Sequence, residues 1–208
     1  MESKHNQHMQ ELEDDRDLAE RCRAGDERAR EQLVDRYLNQ VQLTVARLVG
    51  PTQELPDVVQ DALTQVLLSL KHYRGEALLR TWIDRVCSNV AYQHLRKRSR
   101  RGMVPLELVA EPPDLSTSLP GSAENRLHGR RLTRKLHAVL DTMDARKRVA
   151  FLLHAVLGYS VSEVAVMTGC RYYTAKSRIR YARRDLLRFA SRDPELKAWL
   201  EERPGREG

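Results

Sequence analysis

Residues 158–186 read GYSVSEVAVMTGCRYYTAKSRIRYARRDL. Ser160 and Glu163 stand three apart, the spacing of a capping box: the serine hydroxyl accepts from the Glu163 amide, and the glutamate reaches back to the Ser160 amide. This opens a short helix, Val161 to Met167, which Thr168-Gly169 closes because glycine enters the left-handed turn without a Cβ penalty. A second helix begins at about Tyr172, with Ala175, Ile179, Ala182 and Leu186 at core spacing. Thr174, Lys176, Ser177, Arg178, Arg180 and Tyr181 are left outward. Short helix, glycine turn and longer helix are the outline of a helix-turn-helix. A generic helical hairpin shares that outline, so charge has to separate the two. Between Arg171 and Arg188 there are seven bases against one acid, Asp185. Side chains near the start of such a helix reach base edges and later ones suit phosphates, which predicts duplex DNA as the ligand.

Immediately upstream, Leu127, Leu132, Leu136 and Leu140 mark one helix, and Val149, Leu152, Leu153 and Val156 another that ends at Gly158. The helical unit is expected over 126–190, followed by a C-terminal tail, 191–208, with a short helix. Residues 102–125 differ in kind: Gly102, Pro105, Pro112, Pro113, Pro120 and Gly121 stand among serines and threonines. That composition reads as a linker. Fully extended, it reaches roughly 80 Å. The two flanking units are therefore expected to move independently in the free chain.

The N-terminal half is helical throughout as well. After an acidic stretch, 1–14, expected to be a disordered tail, Gly25-Asp26 separates two helices, with Asp26 as an N-cap. Leu33, Val34, Tyr37, Leu38, Val41, Val45 and Leu48 then recur at three- and four-residue steps until Gly50-Pro51. Pro56 suits the first turn of the next helix, whose apolar face is Val58, Val59, Ala62, Leu63, Val66, Leu67 and Leu70. Asp57, Gln60, Asp61 and Gln65 lie off that face. Asp57 and Asp61, at i and i+4, have no matching acids nearby, so a solvated or protein-contact face is expected, not a metal site. Beyond the Tyr73-Arg74-Gly75 turn, Leu79, Trp82, Ile83, Val86, Cys87 and Val90 form another stripe, with Trp82 read as core. Arg85, Asn89, Tyr92 and Arg96 fall away from it, and Arg96–Arg101 holds five bases in six residues. Cations interleaved with Tyr and Asn can hold a backbone and stack unpaired bases. A solvated basic helix end that complements the helix dipole accounts for the same residues. The fold class is thus all-α: two small helical domains, 15–101 and 126–190, joined by a linker.

Composition narrows the function. The 208 residues carry a formal charge of +7, but residues 1–35 hold eleven acids against six bases, leaving about +12 on the remainder. A clustered basic surface concentrates attraction for polyanions. No apolar run approaches the roughly 20 residues that cross a bilayer, and the acidic N-terminus is unlike a signal peptide, so no membrane insertion is expected. Cys22, Cys87 and Cys170 are scattered and form no CxxC pair, which fits reduced thiols in a cytoplasmic protein. Neither P-loop, acidic metal cluster nor nucleophile–base pair is legible. No enzyme, metal, cofactor or small-molecule ligand is expected.

Taken in order, these residues resemble the extracytoplasmic-function (ECF) sigma factors of the sigma-70 family, over about residues 15–188. The resemblance is carried by Arg23-Ala24-Gly25-Asp26-Glu27-Arg28-Ala29, by Asp57-Val58-Val59-Gln60-Asp61 and by Tyr73-Arg74-Gly75-Glu76-Ala77. It continues through Thr81-Trp82-Ile83, Asn89 and Leu95-Arg96-Lys97-Arg98, then Gly158-Tyr159-Ser160 with Glu163-Val164-Ala165, and Thr174 to Ile179 with Ala182-Arg183. It implies that Asp57, Val58, Gln60, Asp61 and Gln65 bind the clamp helices of the largest subunit of RNA polymerase core. Arg74, Trp82, Arg85, Asn89, Tyr92, Arg96, Lys97 and Arg98 would melt and hold the −10 element of promoter DNA. Arg171, Tyr173, Thr174, Lys176, Ser177, Arg178, Arg180 and Arg183 would read the −35 major groove. An anti-sigma factor, which can hold such a protein at the inner membrane, would be a further partner, in a stress or envelope-signal response. The chain departs from the family pattern at Tyr173 (usually Gly), Ala175 (Val), Leu67 (Trp) and Thr142-Met143 (Leu-Pro). A helix-turn-helix regulator that does not bind core polymerase is the other reading. It explains the C-terminal half and leaves the Asp57–Asp61 phrase and the basic 96–101 segment without a role.

Overall fold

The structure, a computed structural model, describes residues 2–100, 123–191 and 193–201. Arg101 and residues 102–122 of the expected linker lie outside the described residues. Within them the chain is helical with no strand: α1 (Glu2–Arg23), α2 (Glu27–Val49), α3 (Leu55–Ser69), α4 (Leu79–Arg100), α5 (Ala123–Leu140), α6 (Ala145–Ala155), α7 (Val161–Met167), α8 (Tyr172–Ala190) and α9 (Pro194–Glu201).

Local chemistry sets most boundaries where the spacing predicted them. Asp26 caps α2, its carboxylate accepting from the Arg28 amide at 2.9 Å and the Ala29 amide at 3.2 Å. Pro56 lies in the first turn of α3. Ser160 and Glu163 form the full capping box of α7. The short helix expected in the C-terminal tail is α9. Residues 1–14, expected to be a tail, instead begin α1 at Glu2. No proline or glycine interrupts them, and Gln10 donates to Asp14 one turn on at 3.1 Å. Likewise α5 starts at Ala123, so the last three residues assigned to the linker are helical.

In the first unit α2, α3 and α4 enclose a core that includes Leu33, Val41, Val45, Val58, Ala62, Ile83 and Cys87. Asp15 of α1 is buried within it, and burying a lone carboxylate is costly unless its oxygens are matched. Here Tyr37 Oη donates to it at 2.9 Å and the Leu79 amide, first of α4, at 2.7 Å. The buried acid thus ties α1 to α2 and starts α4. On α3 the buried stripe is Val58, Ala62 and Val66, continued by Leu70 just past its end, while Leu67, expected on that face, is exposed beside Leu68. Four-residue steps from Val58 leave Leu67 about 100° round the helix from Val66.

In the second unit α7 and α8 form the helix-turn-helix, packed on α6, with Ala175, Ile179, Ala182 and Leu186 all buried as predicted. α9 closes against α8 and α5, and Lys135 bridges Asp193 (2.9 Å) and Glu195 (2.6 Å) at that end. The two units do not stand apart, as the linker composition led us to expect. Arg148 of α6 is only 2% exposed and donates through Nε to Leu48 O at 3.0 Å and through Nη2 to Val49 O, both at the C-terminal end of α2. Arg98 of α4 meets Asp141 at 2.7 Å. Composition cannot register such contacts, because Arg148, Arg98 and Asp141 each read alone as an ordinary surface ion and the α2 carbonyls carry no sequence signal.

Candidate polymerase and nucleic-acid interfaces

Because α3 buries one stripe, the opposite side is left to solvent. Asp57, Gln60, Asp61 and Gln65 are all exposed there, joined by Leu68 at 62% exposure. Val58, assigned with them from the phrase, turns the other way and is 3% exposed, so it packs the helix and offers no side chain to a partner. Leu67 and Leu68 are the exposed apolar side chains beside that row. Their signal in the sequence is that both fall out of step with the four-residue spacing of the core.

The second surface gathers at the turn before α4 and along that helix. Arg74, Arg85, Asn89, Arg96 and Lys97 are exposed, whereas Trp82 is half-buried with its ring 5.6 Å from Tyr73, edge-on. Around the turn Arg16, Arg23, Lys71, His72 and Arg74 line a basic cleft of about 530 Å³. Arg16 Nη2 donates to Gly75 O at 2.8 Å. Gly75 has φ +70°, and a Cβ there would come within 2.4 Å of the Arg16 side chain, so a larger residue would be strained and would displace Arg16. The reading of local motifs missed Arg16, Arg23, Lys71 and His72, which come from separate elements. Two assigned residues are already engaged: Arg98 by Asp141, and Tyr92, whose Oη accepts from Arg146 Nε at 3.1 Å. That bond from Arg146 holds the Tyr92 phenol below its ordinary pKa.

The third surface is α8. Arg171, Tyr173, Thr174, Lys176 and Arg180 are exposed near its start, Tyr173 at 80%. Ser177 and Arg178 are half-buried. Arg183 does not join them: its Nη2 donates to Leu200 O at 3.0 Å, fastening α9 to α8. The Tyr181 ring carries Arg180, Arg184 and Lys147 around it, at 5.2, 4.9 and 5.9 Å from its centroid. Such cation–ring attraction gathers two cations of α8 and one of α6 around a single ring. Among the described residues no group of His, Cys, Asp and Glu could hold a metal ion, and no helix is long and apolar enough to cross a membrane.

Comparison with known proteins places the chain in a class. Residues 33–101 match the family model for sigma-70 region 2, and residues 133–186 that for sigma-70 region 4. A promoter-recognition protein of the sigma-70 type, with those two regions in that order, is what the two helical units define. The ECF RNA polymerase sigma-E factor of Haemophilus influenzae is 32% identical over 84% of this chain and 94% of its own length. That of Escherichia coli is 30% identical over 84% and 93%. The chain belongs to the ECF sigma factors, which bind RNA polymerase core and promoter DNA to start transcription and are not enzymes. Two solved structures share the fold. CnrH, in complex with the cytosolic domain of CnrY, has a TM-score of 0.56 and 24% identity over 86% of this chain and 98% of that one. The sigma factor RpoE of Bartonella quintana, in complex with the anti-sigma factor NepR, has 0.54 and 21% over 82% and 96%.

Proposed function

We propose that the three surfaces divide the work of this sigma factor. The exposed row Asp57, Gln60, Asp61, Gln65 and Leu68 docks on the clamp helices of the largest polymerase subunit. The basic cleft around Arg74, with Trp82, Arg85, Asn89, Tyr92, Arg96 and Lys97, opens and holds the −10 element. The start of α8, from Arg171 to Arg180, enters the −35 major groove. The observation that carries this reading is the separation of sign: an acidic and amide row on α3, and cations on α4 and α8. Acids are poor ligands for DNA and good ones for a basic protein surface. The two solved relatives were each captured with a protein bound, one of them an anti-sigma factor, which supports control by such a factor. The chain would then act in the cytoplasm, held at the inner membrane until an envelope or stress signal releases it.

Run-off transcription with purified core, coupled to mapping of dependent promoters, tests the whole reading. Defined transcripts should appear with wild type and be lost when Asp57 and Asp61 are both changed to Lys. Promoter binding by the free chain, with no affinity for core, would instead make it a helix-turn-helix regulator.

A further inference from the structure

Tyr173, the second residue of α8, is 80% exposed, more than any other large apolar side chain among the described residues. At about 100° per residue, Ser177, Arg180 and Arg184 fall within about 40° of it around the helix, while the buried Ala175, Ile179 and Ala182 lie on the opposite side. Tyr173 therefore leads the ridge that points straight away from the core. A lone exposed hydrophobe is ordinary on a protein surface. Two features separate Tyr173 from that case. Tyr172 meets its ring edge-on, with centroids 5.6 Å apart and planes at 83°. That brace takes freedom from a side chain with few torsions, so little more is lost on contact. The cations around Tyr181 lie eight residues on, about 12 Å along the helix, close to the width of the B-DNA major groove. With Arg180, Arg184 and Lys147 held on one phosphate backbone, Tyr173 comes to lie over base edges.

What a ring can recognise there follows from the chemistry of the groove. Its base edges offer hydrogen-bond donors and acceptors, and one apolar group, the C5 methyl of thymine. Arg171, Thr174 and Lys176, all exposed beside Tyr173, supply donors for phosphates and for acceptors on bases. The ring supplies what they cannot, an apolar face whose contact with a methyl group frees water from both.

We infer that Tyr173 is a specificity-determining residue of the −35 contact, its ring reading the methyl group of one thymine. The inference rests on the −35 reading of α8 proposed above and adds the base that is selected. Glycine, usual at this position in the family pattern, has no side chain to make the contact, so the preference for thymine belongs to this chain.

The test uses holoenzyme, assembled from core and the full chain, on a promoter mapped by run-off transcription. Each −35 thymine is replaced in turn by deoxyuridine, which differs by the methyl group alone. Wild type should lose about fourfold in affinity at one position, the effect of burying one methyl group. Tyr173→Ala should bind the natural element at least about fourfold more weakly and lose nothing further with deoxyuridine there, since ring and methyl form a single contact. Tyr173→Phe should keep the wild-type loss. Both variants leave the fold alone, because the side chain is exposed. Wild type indifferent to every deoxyuridine overturns the inference. An undiminished loss in Tyr173→Ala also overturns it, since the effect would then lie in the shape of the DNA itself. Absence of the loss in Tyr173→Phe overturns it by making the hydroxyl the reader. A footprint that leaves the −35 region bare would instead overturn the −35 assignment of α8, and the inference with it.

Discussion

Arg178 and Asn89 sit across one cleft yet belong to different steps. Alanine at Arg178 should weaken −35 duplex binding by about 1–3 kcal/mol if the guanidinium is bidentate to a base. Alanine at Asn89 should leave that affinity alone and reduce strand opening on a complete promoter, read by permanganate footprinting. Equal duplex defects in the two variants would end this division. His137 sets a pH dependence at the same scale. It is buried, accepts from Arg148 and lies near Arg98, and burial followed by those two cations holds its pKa well below 6.5. As pH falls through about 6.5 the unfolded chain takes up a proton that the folded chain refuses. The contribution of His137 to stability is therefore complete above that pH and declines below it. Urea melts of wild type should weaken between pH 7.5 and 5.5, and His137→Gln should flatten the decline. A decline just as steep in the variant would assign it to other groups.

Among the elements, α3 and α7 show what helical spacing can and cannot tell. Charge reversal at Asp57 and Asp61 should abolish capture by core while costing under about 0.5 kcal/mol per site, because both are exposed. A melting temperature that falls with core affinity would mean the face is structural. For α7, Ser160→Ala removes the hydroxyl half of the capping box and should cost about 1 kcal/mol in a denaturant titration. The capping box, the Asp26 cap and the buried stripe of α8 were legible because each is local, made by residues three or four apart. Helical spacing placed Val58 on the buried face correctly but put Leu67 there too. Leu67 sits in the same apolar run, and only the packing of α3 on α2 and α4 decides which residues of that run turn inward.

For the whole molecule, the contacts of Arg148 and Arg98 between the units predict one cooperative body. Wild type should unfold in a single calorimetric transition, and Arg148→Met should separate it into two as the helical units melt apart. Two transitions in wild type would show that the interface adds little to stability. The basic cleft at Arg74 is also a property at this scale: Arg16 and Arg23 come from α1, Lys71 and His72 from the end of the α3 segment.

Read by itself, the chain determined that it is all-α, that residues 158–186 form a helix-turn-helix, and that cations gather on α4 and α8. Hydrophobic spacing, caps and charge runs are written over a few neighbouring positions, so they survive without the fold. The ordered phrases also carried the resemblance to ECF sigma factors. Only the tertiary structure decided that Arg183 fastens α9, that Arg98 and Tyr92 are engaged across units, and that Arg148 closes α2 from a hundred residues away. Each is a long cationic or phenolic side chain whose partner is set by how helices pack, and no local pattern distinguishes it from one in water.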